Sequence, residues 1–152
     1  MEKKERFKLI PSVYLILDLE GKTLLLRRSN TGFEDGNYGL AAGHAEEKET
    51  FREALQREVQ EEIGVMVDIE KLQLVHVMHR LCGDDERVDF FFTTMEWRGE
   101  IKNMEPDKCD DIEWFPLNRL PYNTIDYIRV AIKCWQEGIL YSEFGWHKEW
   151  IK

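Results

Sequence analysis

The stretch GHAEEKETFREALQREVQEEIGV, from Gly43 to Val65, decides how this chain is read. It places Glu46, Glu47, Glu49, Glu53, Glu58, Glu61 and Glu62 close together in a chain whose formal charge is already −9. Like charges one helical turn apart repel, so either water screens them or something positive sits among them. Thr50 followed three residues later by Glu53 is a capping box, and Gly64 suits a left-handed C-terminal cap, so the spacing predicts a helix between them. On that helix Phe51, Leu55 and Val59 form an apolar stripe, with Glu53, Gln56, Arg57 and Gln60 on the opposite side. Glu58 and Glu62 fall inside or at the margin of the apolar arc, with Glu61 beside them. Carboxylates there are costly unless protonated, paired or bound to a cation. Their spacing stacks them as a hard divalent ion requires, and Mg²⁺ bound by one or two carboxylates shares its remaining positions with water and phosphate.

The rest of the chain suits a folded domain. With 152 residues, 43% hydrophobic and 12% aromatic, it is long enough for one core, and a single domain over 1–152 is expected. The excess of 30 acidic over 21 basic residues argues against a broad grip on extended nucleic acid, which needs a basic face. Cys82, Cys109 and Cys134 have neither CxxC nor Cys/His ligand spacing, which suits reduced thiols in a cytoplasmic protein. The basic start and apolar run of residues 1–19 imitate a secretory leader, but Pro11 and Ser12 interrupt the run, and no small-residue cleavage site follows. No run of 18 apolar residues is present, so no membrane span is expected.

Val13–Leu19 and Thr23–Arg28 read as strands joined by a hairpin at Glu20-Gly21-Lys22, followed by a loop and a short strand near Tyr38–Leu40. Leu72–Arg80 and Val88–Trp97 read as two more, parted by the turn Cys82-Gly83-Asp84-Asp85, and Ile112–Phe115 as a short one stopped by Pro116. A second helix is expected over roughly Thr124–Glu137, with Ile125, Ile128, Ile132 and Trp135 on one face. Strands around two helices give an α+β layered domain with a mixed sheet.

Gly43, Glu49, Arg57-Glu58-Val59, Glu61-Glu62 and Gly64-Val65, with their fixed gaps, resemble the complete Nudix box. The resemblance to the MutT-like Nudix hydrolases implies an α/β/α sandwich around a mixed β-sheet. It implies Mg²⁺-dependent attack of water on a nucleoside diphosphate linked to another moiety X, with Mn²⁺ as a possible substitute. Glu58, Glu61, Glu62 and the carbonyl of Gly43 would hold the metal. Arg57 would orient the glutamates by ion pairing, Glu49 would hold the loop or assist the metal shell, and Glu61 is the expected general base. Two positions depart from the family pattern: Leu40-Ala41-Ala42-Gly43 replaces a Leu-Pro-Gly-Gly-like segment, and Lys48 stands where glycine is frequent.

Substrate residues lie outside the box. Arg27 and Arg28 could reach phosphates or a base; Tyr38, Phe33, His79 and Trp114 could stack on one; His44 could contact a phosphate or water. Glu105 and Asp110, in or just after the polar loop 103–109, could read a base edge or supply a proton acceptor. His76 is given no role. Tyr141, Phe144, Trp146 and Trp150 could cover the sheet or form a homodimer contact, with packing the simpler reading. The leading expectation is a pyrophosphohydrolase of a free nucleotide, a canonical or oxidised nucleoside triphosphate cleaved to monophosphate and pyrophosphate. Hydrolysis of ADP-ribose or a nucleotide sugar, decapping of RNA 5′ ends, and a non-catalytic nucleotide-sensing module are the alternatives.

Overall fold

Two apolar runs near the start dictate the layering. Val13–Leu17 and Leu24–Leu26 are buried at every position, so both faces of each strand need cover. In the computed structural model, which describes residues 2–146, these runs form β1 (Ile10–Leu17) and β2 (Lys22–Arg28). The expected tight turn is present, closed by reciprocal 2.9 Å hydrogen bonds between the backbones of Leu19 and Lys22. The hairpin expected to follow it does not form, because the strands part into different sheets, where each is covered on both sides.

The larger sheet is mixed. Its order is β4 (Ala41–His44), β1, β6 (Asp85–Thr94), β5 (Gln73–Cys82), β8 (Tyr141–Phe144), with β1 parallel to β6 and β5 parallel to β8. The smaller sheet places β2 between β3 (Tyr38–Gly39) and β7 (Cys109–Pro116), antiparallel to both. Helix α1 (Phe51–Ile63) packs over β4 and β1, and α2 (Asp126–Gln136) lies by β5 and β8. One core cluster joins Leu55, Val59 and Ile63 to Val13, Leu15 and Phe92; the other joins Tyr14, Ile16 and Phe91 to Ile128 and Ile132. The architecture is α+β, as the pattern of elements implies.

Two strands escaped the pattern. Ala41–His44 is too poor in β-branched or aromatic residues to signal a strand, yet it pairs with β1 from Ser12↔His44 to Leu15↔Ala41. Tyr141–Phe144 lies along β5, where Phe144 packs edge-on to Tyr127 and Trp146 donates to the His79 carbonyl at 3.0 Å. These aromatics therefore cover their own sheet, while Trp150 lies outside the described residues. Strand β7 begins at Cys109, three residues before the expected Ile112. Among the described residues no helix is long and apolar enough to cross a membrane.

Candidate active site

Both ends of α1 follow from local chemistry. Thr50 Oγ1 accepts the Glu53 amide at 3.1 Å, and Gly64 closes the helix at φ 73° in the left-handed region. The last turn has orphan carbonyls, and two are taken by the loop after β6: Lys102 N–H donates to Ile63 O at 2.9 Å and Met104 N–H to Glu62 O at 3.0 Å. This pairing carries Glu105 to the carboxylate end of the helix.

Arg57 organises the box. Its Nε and Nη2 form a fork onto Glu49 at 2.8 and 3.0 Å, Nη2 also reaches His44 O at 3.2 Å, and Nη1 donates to Glu58 Oε1 at 2.8 Å. Glu49 also accepts the Glu46 amide at 3.0 Å, and these donors, Arg57 first, hold its pKa down at about 2. Glu58 takes the opposite course: burial raises its pKa despite Arg57. Its carboxyl lies so close over Gly43 that a Cβ at that position would overlap it, and only glycine leaves that space.

Glu62 is held at a cost. The one hydrogen bond to its carboxyl group among the described residues is a long one from Ala42 N–H, 3.4 Å, and burial followed by repulsion from Glu58 pushes its pKa well above the ordinary value. Glu61 is half-exposed, 3.5 Å from Arg57 Nη1. Among the described residues no three carboxylate, imidazole or thiolate groups converge into a ready cage, so the expected tight stack of three glutamates is opened by the turn of Glu61 toward Arg57. The donor set nonetheless fits a hard divalent cation: two under-compensated carboxylates and a glycine cradle, leaving positions for water and phosphate.

Glu58, Glu61 and Glu62 line a cleft of about 350 Å³ with Glu105, and Arg27, Arg28 and Lys108 bring positive charge to its lining. Arg28, Gly39 and Leu40 are shared with a second cleft of about 410 Å³, which also takes in Phe33 and His44. The structure thus brings Arg27, Arg28 and Glu105 to the carboxylates, and His44 and Phe33 to the neighbouring cleft. A larger hollow, about 580 Å³, lies at Met66, Met95, Trp97 and Arg98 and includes no residue of the box.

Four expected substrate contacts are placed elsewhere. Tyr38 is buried, its ring edge-on to Phe115 and its hydroxyl on Asp111, so its face cannot take a base. Desolvation first, then that carboxylate, pushes its pKa up to about 12. His79 alternates with Arg80 along β5, is absent from the lining of both clefts, and packs against Trp146 with Glu86 at 3.4 Å. Asp110 faces a separate hollow and acts on the site only by holding Arg27 Nε at 2.7 Å. Trp114 stacks on Trp97.

Sequence reasoning missed the floor of the second cleft. Arg80, 3% exposed, donates from Nε to Asp89 at 2.6 Å and from Nη2 to the Tyr14 hydroxyl at 3.3 Å, and its guanidinium lies 3.8 Å above the Tyr127 ring. The available signal was a pair of opposite charges, Arg80 and Asp89, each next to the apolar part of a strand.

Comparison with known proteins agrees with this geometry. The NUDIX domain model matches residues 8–134. An ADP-ribose pyrophosphatase of Methanocaldococcus jannaschii is 31% identical over 84% of this chain and 75% of its own. A Pseudomonas putida NAD-capped RNA hydrolase, NudC, is 32% identical over 75% of this chain, which spans only 39% of that longer protein. The crystal structure of a MutT NUDIX hydrolase from Burkholderia pseudomallei superposes with TM-score 0.77 at 24% identity, covering 84% of this chain and 98% of that one. The carboxylates around Gly43 thus sit in a fold and a sequence pattern of one kind, and the chain belongs to the Nudix family of hydrolases.

Proposed function

We propose that this chain is a single hydrolase domain that cleaves the diphosphate linkage of a free cytosolic nucleotide, with a nucleoside triphosphate cut to monophosphate and pyrophosphate as the first reading. The observation that carries it is the pair of joined clefts: one lined by carboxylates and guanidiniums, the other walled by Leu40, Ile125 and Ile128 with Phe33 also in its lining. The first suits a metal-bound diphosphate and the second a nucleoside. Mg²⁺, or Mn²⁺ in its place, would neutralise the diphosphate and activate water when held by Glu58 and Glu62 beside Gly43.

The chain's own residues do the rest. Arg57, clamped by Glu49, fixes Glu58 in a single position. Among the described residues Arg28 spends only Nε, on the Phe33 carbonyl at 2.8 Å, and it stands where the clefts meet, so its outer nitrogens can hold the diphosphate between them. Arg27, steadied by Asp110, adds a second cation. Glu61, the most exposed carboxylate of the three, has room to accept a proton from water at the cleft mouth.

A second reading, ADP-ribose as substrate, is favoured by the 31% identical pyrophosphatase. The test is chromatographic detection of the nucleoside monophosphate formed, with and without Mg²⁺, from nucleoside triphosphates, dinucleotides, ADP-ribose and nucleotide sugars, with pyrophosphate as the co-product of a triphosphate and a sugar phosphate or second monophosphate as that of the others, and Glu61→Gln as control. Metal-dependent turnover of triphosphates that is lost in the variant is expected. Turnover of ADP-ribose alone favours the second reading, and binding without any turnover overturns both.

A further inference from the structure

The second cleft has more hydrogen-bond donors than its own structure uses. Arg80 and Arg87 lie directly opposite each other in the β5–β6 ladder, a like-charge pairing that costs stability. Each leans on an acid, Arg80 on buried Asp89 and Arg87 on exposed Asp85 at 3.5 Å. The pairing is nevertheless incomplete. The hydrogen bonds of Arg80 use Nε and Nη2 and leave Nη1 over; Arg87 Nε is buried without a partner among the described residues.

Ser12 adds a second buried, unmet group. It is 3% exposed, stands on β1 in register with Asp89, and its Oγ has no partner among the described residues. All three residues line the same cleft. Buried polar groups without partners cost free energy, so the two in one wall, Ser12 Oγ and Arg87 Nε, beside the spare Nη1 of Arg80, point to a ligand that supplies acceptors. Apolar walls at Leu40, Ile125 and Ile128 suit a flat heterocycle.

We propose that Ser12, Arg80 and Arg87 form a donor row that selects nucleotides whose base presents carbonyl acceptors, as hypoxanthine, guanine and uracil do, over adenine, which presents an amino donor. The inference rests on the second cleft being the nucleoside subsite of the proposed reaction. Arginine is the side chain suited to such a face, since its fork matches O6 and N7 of hypoxanthine or guanine together and can donate singly to a uracil carbonyl.

Inosine and adenosine triphosphates differ only along the 6-position and the adjoining N1, so their kcat/KM ratio reads the preference for a carbonyl edge over an amino edge. A preference for the inosine compound of about tenfold or more is expected. Arg87→Met and Ser12→Ala should each shrink that ratio, and the paired change Arg80→Met with Asp89→Leu should abolish it without orphaning a buried charge. Thermal unfolding of each variant separates loss of fold from loss of selectivity. Equal or better turnover of the adenosine compound, or a ratio that none of these variants moves, overturns the donor row while leaving the hydrolase reading intact. If no triphosphate is turned over, calorimetry with inosine and adenosine diphosphates reads the same preference, and equal affinity overturns it.

Discussion

The two clefts that meet at Arg28 solve opposite electrostatic problems. The first crowds Glu58, Glu61 and Glu62 and relieves them with one arginine, so its outstanding need is a cation. The second holds Arg80 and Arg87 and relieves them with Asp89 and Asp85, so its outstanding need is an acceptor. A substrate that is a metal diphosphate at one end and a carbonyl-bearing ring at the other would meet both needs at once. In both clefts the unmet group marks where binding free energy is available.

The largest effect should come from the carboxylate side. Glu58→Gln keeps the size of the side chain and loses the charge, so kcat/KM with Mg²⁺ is expected to fall by about 10³-fold while the melting temperature holds or rises. Retained activity would move the metal away from Glu58. Gly43→Ala comes next, since its methyl group would overlap the Glu58 carboxyl. It should lose about 10²-fold in activity and about 2 kcal/mol in stability by urea unfolding. Shortening the partner, Glu58→Asp in the same chain, should return the stability and leave the activity low; no return would locate the clash elsewhere.

Those two residues were legible in the sequence, and the second cleft was not, for a physical reason. The box is local: Gly43, Arg57, Glu58 and Glu62 lie within twenty residues, and one helix and its cap bring them together. The donor row needs β1, β5 and β6 in register, so Ser12, Arg80 and Arg87 meet only through a ladder that no spacing reveals. The parting of β1 and β2 was hidden likewise, because the Glu20-Gly21 turn is the same whether the strands pair beyond it or diverge. Tyr38 and His79 misled because an aromatic near a strand end reads alike whether it packs inward or faces the ligand.

Within the box, Glu49 and Glu62 should give stability opposite pH dependences. Glu49 is held at about 2 against an ordinary 4.5, so between those values the folded chain binds fewer protons than the unfolded one. Its contribution is full above 4.5 and lost as pH falls toward 2. Glu62 is pushed above 4.5, so from there upward the metal-free folded chain binds more protons, and stability falls as pH rises until Glu62 ionises. Urea unfolding in chelator from about pH 2 to about pH 8 checks this. Glu62→Gln should flatten the decline at high pH and Glu49→Gln the loss at low pH; unchanged slopes would break the contrast. Mg²⁺ should reverse the high-pH trend, because it competes with the proton for the same oxygens.

The smallest effect separates the loop from the chemistry. Lys48, where the family pattern favours glycine, sits at φ 62°, a left-handed conformation that a side chain resists. Ala41 and Ala42, the other departure, sit in β4 paired to β1 and carry no such strain. Lys48→Gly should therefore stabilise the fold by about 1 kcal/mol, read by urea unfolding, with kcat/KM unchanged within about twofold. A gain in stability with unchanged activity would show that Arg57 and Glu49 already hold the loop in its working shape. A change in activity would mean that the strain at Lys48 sets the position of Glu49, and through Arg57 that of Glu58.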